Sequence, residues 1–345
     1  MKTTYLKITG KSENDSKVIE KAAEVIKKGG LVAIPTETVY GLAGSALIEE
    51  SAEKIYAAKG RPSDNPLIVH IAKPDDAETI AYTTELYYKL AEHFMPGPIT
   101  VVLKKKALIP DSVTAGLDSV AIRCPSNKVA HELIRVSGHP IAAPSANRSG
   151  IPSPTRAEHV LLDMDGRIDM IIDGGECDIG LESTVVKADG DGIMILRPGA
   201  VTKEMLETVS DNVIVDKAVT DPKIAEKSVP ESPGMKYKHY SPKADVLLLD
   251  GSDADFISYV NSHAESGCGV LCTDEEAEAI HGVAVLSVGH RGDAAEESKR
   301  FFNLLREADE MGLTKVYAKL PPKDGMYLAI YNRIIRAAGC KVEKI

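Results

Sequence analysis

Four cations stand where an apolar run begins or ends: Lys59, Arg61, Arg123 and Arg197. Lys59 and Arg61 sit in Lys59-Gly60-Arg61-Pro62-Ser63-Asp64-Asn65-Pro66, directly before Leu67-Ile68-Val69-His70-Ile71. Arg123 closes Ser119-Val120-Ala121-Ile122 and precedes Cys124-Pro125, whereas Arg197 closes Ile193-Met194-Ile195-Leu196 and precedes Pro198-Gly199. Proline restricts the backbone of the residue before it, which holds Arg197 more firmly than Arg123. Guanidinium groups grip phosphate and carboxylate through paired hydrogen bonds. Taken singly, each cation reads as a surface ion pair. Their shared placement at strand ends points instead to a site for an anionic small molecule.

Hydroxyl-rich loops accompany them. Pro35-Thr36-Glu37-Thr38-Val39-Tyr40-Gly41-Leu42 reads as one such loop, and Pro144-Ser145-Ala146-Asn147-Arg148-Ser149-Gly150, running on to Ser153, as another. Gly180-Leu181-Glu182-Ser183-Thr184 opens a further strand. Alone, these residues are turn formers. Beside four cations they supply neutral hydrogen bonds and close backbone approach, and a phosphorylated ligand becomes the better account.

The elements that must position these groups alternate. Val18, Ala22, Val25 and Ile26 have helical spacing and stop at Gly29-Gly30. Strands are predicted at Leu31–Ile34, Leu67–Ile71, Ile99–Leu103, Val120–Arg123, Ile168–Ile172, Thr184–Lys187 and Ile193–Arg197, with helices after Ser51 and over 128–136. Interleaved strands and helices mean an α/β domain over 1–210, and the close pair near 184 and 193 reads as a hairpin, so the sheet is mixed. Residues 211–242 are a Pro-punctuated linker, although Met235-Lys236-Tyr237-Lys238-His239-Tyr240 is too aromatic and basic for a passive spacer. Residues 243–345 restart a βα rhythm that predicts a small parallel, Rossmann-like domain; Asp250-Gly251-Ser252-Asp253 replaces a glycine fingerprint, which argues against a dinucleotide role.

Composition narrows the class. A chain of 345 residues is too long for one ordinary core. The net charge of −10 offers no global basic field for nucleic acid, neither half is basic, and Lys104-Lys105-Lys106 reads as a solvated turn. Five scattered cysteines argue against a disulfide framework, and Cys268 and Cys272 read as core thiols rather than metal ligands. No apolar run approaches the roughly 18 residues of a membrane span, and the N-terminus lacks a secretory h-region, so a cytoplasmic protein is expected. No Gly-x4-Gly-Lys-Ser/Thr loop, zinc-type His-x3-His pair or Gly-x-Ser-x-Gly elbow occurs.

These blocks, in this order, resemble the YrdC-type threonylcarbamoyl-adenylate synthases in their long two-domain form. The matching stretches are Pro35–Leu42, Lys59-Gly60-Arg61-Pro62 with Asn65-Pro66-Leu67, Pro96–Thr100, Arg123–Pro125, Pro144–Gly150, Ser183-Thr184, Arg197–Gly199 and the linker Ser232–Pro242. The resemblance covers nearly the whole chain. It implies a YrdC-like catalytic domain over 1–210, a linker or lid over 211–242 and a C-terminal Rossmann-like domain over 243–345. It further implies that L-threonine, bicarbonate and ATP become threonylcarbamoyl-AMP and pyrophosphate, a nucleotidyl transfer that supplies the modification of tRNA adenosine beside the anticodon through downstream transfer machinery.

Carried over by position, the resemblance has Thr38, His70, Arg123, Ala143 and Ser183 lining a threonine pocket. It has Arg61, Asn65, Ser119, Ser145, Ser153 and Arg197 holding ATP, and Lys59 beside the reacting carbamate and phosphates, with Lys59 and Arg61 as the catalytic cations. Lys236 and Tyr240 would be lid contacts. Mg2+ would ride on the ATP phosphates, with no organic cofactor and no metal held by side chains. His70, lying within a strand, reads on its own as a satisfied core residue. Two rivals stand: a carbamoyl-transferring enzyme like the related domain of hydrogenase maturation proteins, whose acylphosphatase and zinc-finger regions are absent here, and an RNA-binding or regulatory module on the same fold.

Overall fold

The computed structural model describes residues 2–10, 12–190, 192–221, 224 and 240–345. Two compact units emerge: one from residues 2–149, 153–178 and 182–221, the other from 240–345 with the short segments 150–152 and 179–181.

The first unit is built on a sheet of β1 (Thr4–Lys7), β2 (Val32–Ile34), β3 (Gly41–Ser45), β4 (Ile68–His70), β5 (Ile99–Lys104), β6 (Ser119–Arg123), β7 (Ile141–Ala142), β8 (Met170–Asp173), β9 (Thr184–Asp189), β10 (Gly192–Arg197) and β11 (Val213–Val215). Their order is β1-β8-β2-β3-β7-β4-β6-β5-β9-β10-β11. Pairing is mixed: β4 runs parallel to β6 and β5 to β9, whereas β5 and β6, and β9 and β10, are antiparallel. Side chains alternate between the two faces of a strand. One face carries Val69, Val101, Ile122, Ala142 and Val186 into the main core. On the other, the helices Ser12–Lys27 and Lys128–Ser137 cover the β8-β2-β3-β7 half through Ile19, Ala22, Ile26, Ala130, Leu133 and Ile134. Farther along that face, on β4, β6, β5, β9 and β10, the described residues form the small cluster Ile68, Val102, Ala121, Val185 and Leu196.

Four strands of this unit differ from the sequence reading: β1 and β7 are not among the predicted strands, and two others fall where the reading has a loop or the linker. Gly41 and Leu42, read as loop, begin β3, which is antiparallel to both β2 and β7. Gly41-Leu42-Ala43-Gly44-Ser45 has no β-branched residue to signal a strand; pairing on both sides makes it one. Val213–Val215, read as the start of the linker, pairs in parallel with β10. The rest of the linker, Lys236 included, lies outside the described residues apart from Ile224 and residues 240–242.

The second unit holds a parallel sheet of β12 (Asp245–Asp250), β13 (Cys268–Cys272), β14 (Ala284–Ser287), β15 (Lys315–Lys319) and β16 (Val342–Lys344), in the order β14-β13-β15-β12-β16. Helices Asp253–Ser262, Ala294–Glu310 and Tyr327–Ala337 flank it. Ser252 and Asp255 form a capping box that starts the first of them. The sequence reading missed β16, whose three exposed residues carry no hydrophobic alternation. Cys268 and Cys272 are buried free thiols in the core of this unit. Among the described residues, no helix is long and apolar enough to cross a membrane.

Candidate active site

The face that the two helices leave uncovered carries the chemistry. Position by position, Ile68 and His70 on β4, Ser119, Ala121 and Arg123 on β6, Thr100 and Val102 on β5, and Ser183 and Val185 at the start of β9 share it. In the ladder His70 lies opposite Arg123, Arg123 opposite Thr100, and Thr100 opposite Val185. A period of two therefore gathers residues scattered from 70 to 197 into one polar row.

Arg123 is buried, and its Nη2 lies 2.7 Å from Oε1 of Glu37, also buried. Burial alone would raise the Glu37 carboxyl. The Arg123 guanidinium and backbone hydrogen bonds outweigh it and hold the pKa below the usual glutamate value. Thr38, next in the chain, is fully buried, and its Oγ1 sits 2.8 Å from Oγ1 of Thr36, which donates to the Val39 carbonyl. Arg197 donates from Nε to the Ser183 carbonyl and from Nη2 to Ser183 Oγ, each at 3.1 Å, and Ser183 Oγ lies 2.8 Å from Thr100 Oγ1. Glu37, Arg123, Thr100, Ser183 and Arg197 thus form one group.

His70 is buried with Nδ1 3.2 Å from the Ile68 carbonyl oxygen. Burial, then the Arg123 charge, push its pKa down to about 3, so the imidazole is neutral at neutral pH. Ala143 lies buried on the neighbouring strand edge, its N–H donating to Ile68 O at 2.9 Å.

A second group forms around Lys59. The helix Glu49–Lys59 ends on Gly60 in the left-handed region at φ 61°, which turns the chain immediately after the lysine. The buried Lys59 Nζ donates to the carbonyls of Ser145 and Asn147, the latter at 2.8 Å, and Ser145 Oγ donates to Asn147 Oδ1 at 2.5 Å. Burial, then the Arg61 charge, hold the Lys59 pKa well below the usual lysine value, with Asp163 and Glu182 opposing. Arg61 Nη2 donates to the Asn65 and Pro66 carbonyls at 3.1 and 3.3 Å, and the Asn65 carbonyl also accepts from Tyr56 Oη at 3.0 Å. Ser153 Oγ donates to Glu182 Oε1 at 2.6 Å, beside Ser183.

Ser119 stands apart from the others on its sheet. Ser119 shares the face but lies at the opposite end of β6 from Arg123, opposite Lys104. Tyr240 belongs to the second unit, buried with its ring 5.1 Å from that of Phe302. Glu37, Thr100, Asn147 and Glu182 were not singled out from the sequence. Each lies within two residues of one that was, or opposite one in the ladder. Two side chains carry unmet capacity: Arg123 Nε and both polar atoms of the Asn65 amide are buried without a hydrogen-bond partner among the described residues. Such groups cost about 1–3 kcal/mol each unless something satisfies them, which a bound polar ligand does.

Comparison with known proteins agrees in extent. A family model described as telomere recombination matches residues 24–199, and one described as threonylcarbamoyl-AMP synthase, C-terminal domain, matches residues 201–339. The threonylcarbamoyl-AMP synthase of Bacillus subtilis is 43% identical over 346 residues, covering 99% of each chain. That of Pyrococcus abyssi is 40% identical over 340 residues, covering 95% of this chain and 96% of the relative. The crystal structure of P. abyssi Sua5 complexed with L-threonine superposes with a TM-score of 0.90 at 38% identity, covering all of both chains.

Proposed function

The chain belongs to the threonylcarbamoyl-AMP synthase family, and from that premise we propose that it is a nucleotidyltransferase that converts L-threonine, bicarbonate and ATP into threonylcarbamoyl-AMP and pyrophosphate. The observation that carries the reading is the buried row Glu37–Arg123–Thr100–Ser183–Arg197, with the Lys59–Ser145–Asn147 cluster on the same unit. It offers cations to an amino-acid carboxylate and to a polyphosphate, and neutral acceptors to an ammonium and a hydroxyl.

In this reading Arg123, fixed by Glu37, takes the threonine carboxylate, while Thr38, Ser183, His70 and the Ala143 backbone shape the pocket around it. His70, held neutral, adds no positive charge that would repel the amine. The amine adds to bicarbonate-derived CO2 and loses a proton, giving a carbamate. One carbamate oxygen then attacks the α-phosphorus of ATP, and the bond to the bridging oxygen breaks toward pyrophosphate. Two anions must meet, so the barrier falls chiefly through placement and fixed positive charge. Lys59, Arg61 and Arg197 supply that charge, and Asn65, Ser119, Ser145 and Ser153 hold the nucleotide. A triphosphate beside Lys59 favours its charged form and offsets the burial that depresses its pKa.

Mg2+ enters as part of the MgATP substrate, neutralising charge on the phosphates. No group of three His, Cys, Asp or Glu side chains suited to a metal converges among the described residues. The product, formed in the cytoplasm, passes to the machinery that modifies tRNA.

The test is pyrophosphate release from ATP with mass-spectrometric detection of threonylcarbamoyl-AMP. Release requires both threonine and bicarbonate. Arg123→Met raises the KM for threonine at least tenfold, a loss of about 1.4 kcal/mol, with a smaller effect on the KM for ATP. Release that is indifferent to threonine overturns the reading.

A further inference from the structure

The second unit has a cavity of its own. In its sheet, β13 leads outward to β14, and β15 leads the opposite way, past β12, to β16. The chain therefore leaves the carboxyl ends of these two neighbouring strands in divergent directions, which opens a crevice where ligands bind in parallel α/β sheets. A cavity of 330 Å³ occupies that place, between Leu271–Thr273 and Ala318–Pro322. This is the small end of the range for ligand pockets, about 300–1,000 Å³. Val288, Phe301, Leu320 and Ile334 give it an apolar body.

Its charges do not cancel pairwise. Lys319 Nζ and Arg291 Nη2 both pair with the single carboxylate of Asp253, the arginine at 2.8 Å. Two cations sharing one anion leave a surplus positive charge on that wall. Facing the same cavity is Glu297, half-buried on the helix Ala294–Glu310, whose backbone N–H donates to the Asp293 carbonyl at 3.0 Å while its carboxylate has no hydrogen bond or ion pair among the described residues. Its neighbour Glu276 is engaged as a helix cap, accepting from the Thr273 N–H at 2.9 Å.

We propose that this cavity binds a small zwitterion, an α-amino acid with an apolar side chain, whose ammonium meets Glu297 and whose carboxylate meets Lys319 and Arg291. The inference does not rest on the synthase reading, since every residue in it lies in the second unit. The Glu297 carboxyl supports it: burial, then the charge of Glu276, raise its pKa to about 7, and a bound ammonium relieves that strain by favouring the ionised form. The other groups facing it are Tyr327, Asp253, Arg291, Lys319 and the Cys272 thiol, the last pushed up to about 12 by burial and so protonated. Below pH 7 Glu297 is mostly neutral and the ammonium lacks its partner; binding therefore tightens as pH rises through about 7 and releases a proton when measured below it.

Isothermal titration of the full chain with L-leucine tests this, alongside its amine analogue 3-methylbutylamine and its acid analogue 4-methylpentanoate. Leucine binds, each analogue binds at least tenfold more weakly, and Glu297→Gln and Lys319→Met each weaken leucine at least tenfold, about 1.4 kcal/mol. Two variants on different elements keep the test intact should one fail to fold. Absence of leucine binding overturns the proposal. So does an analogue that binds as well as leucine, or leucine affinity that a folded variant retains.

Discussion

At the scale of single residues, His70 has a consequence that can be read in stability. The unfolded chain takes up a proton on this imidazole near its ordinary pKa of 6.5, whereas the folded protein resists it down to about 3. Between those values the unfolded state binds more protons, so stability falls as pH drops below 6.5 and is unaffected above it. The slope approaches about 1.4 kcal/mol per pH unit. The depressed Glu37 carboxyl acts in the same direction only at lower pH, through the usual carboxylate range and below. Glu297, whose raised pKa makes the folded protein hold the extra proton over the same window, opposes the histidine's slope. In a Glu297→Gln background, denaturant midpoints measured between about pH 5 and 6.5 isolate the histidine, and adding His70→Asn flattens the dependence there. An unchanged slope rules the account out. The cations of the site were legible in the sequence because charge at the end of an apolar run is rare and conspicuous. Glu37 and Asn147 were not, because an acid between threonines and an amide in a turn have local explanations. Only the fold sets the first beside Arg123 and the second beside Lys59.

Among elements, the junction of β9 and β10 does most to hold the polar row. Gly199 lies where a Cβ would stand 2.5 Å from the Thr184 amide nitrogen and 2.8 Å from the Glu182 carbonyl oxygen, both backbone atoms that cannot swing aside. Thr184 is anchored in turn, its Oγ1 donating to the Val201 carbonyl at 2.7 Å. Gly199→Ala must push the start of β9 away, at a cost of about 1–3 kcal/mol, and displace Ser183 from Arg197. Thermal melts report the first effect and threonine-dependent pyrophosphate release the second. A variant of wild-type activity denies this junction its positioning role. The β9–β10 hairpin was legible because two apolar runs flank a Gly-Asp turn. The strand β3 was not, since its pairing on both edges comes from β2, nearby in the chain, and β7, almost a hundred residues on.

For the whole molecule, two sheets with separate cores imply two units that can be studied apart. The first closes a core of its own around residues such as Tyr40, Leu67, Val101, Ile122 and Ile195. Removal of residues 211–345 is expected to leave a folded protein with a cooperative melt, destabilised modestly because β11 goes with them. We expect its pyrophosphate release to be much reduced, as the aromatic and basic segment around Lys236 and Tyr240 is lost. Full activity would show that segment and the second unit to be dispensable for synthesis.

The register of β5 against β9 pairs Ile99 with Thr184, and Arg197 joins them only when β10 closes the hairpin. A chain still being made on the ribosome therefore leaves Arg197 away from its partner Ser183 until the segment beyond residue 197 has emerged. On the proposed function, fragments left by stalled translation short of that point are expected to release no pyrophosphate, so that an unfinished chain spends no ATP.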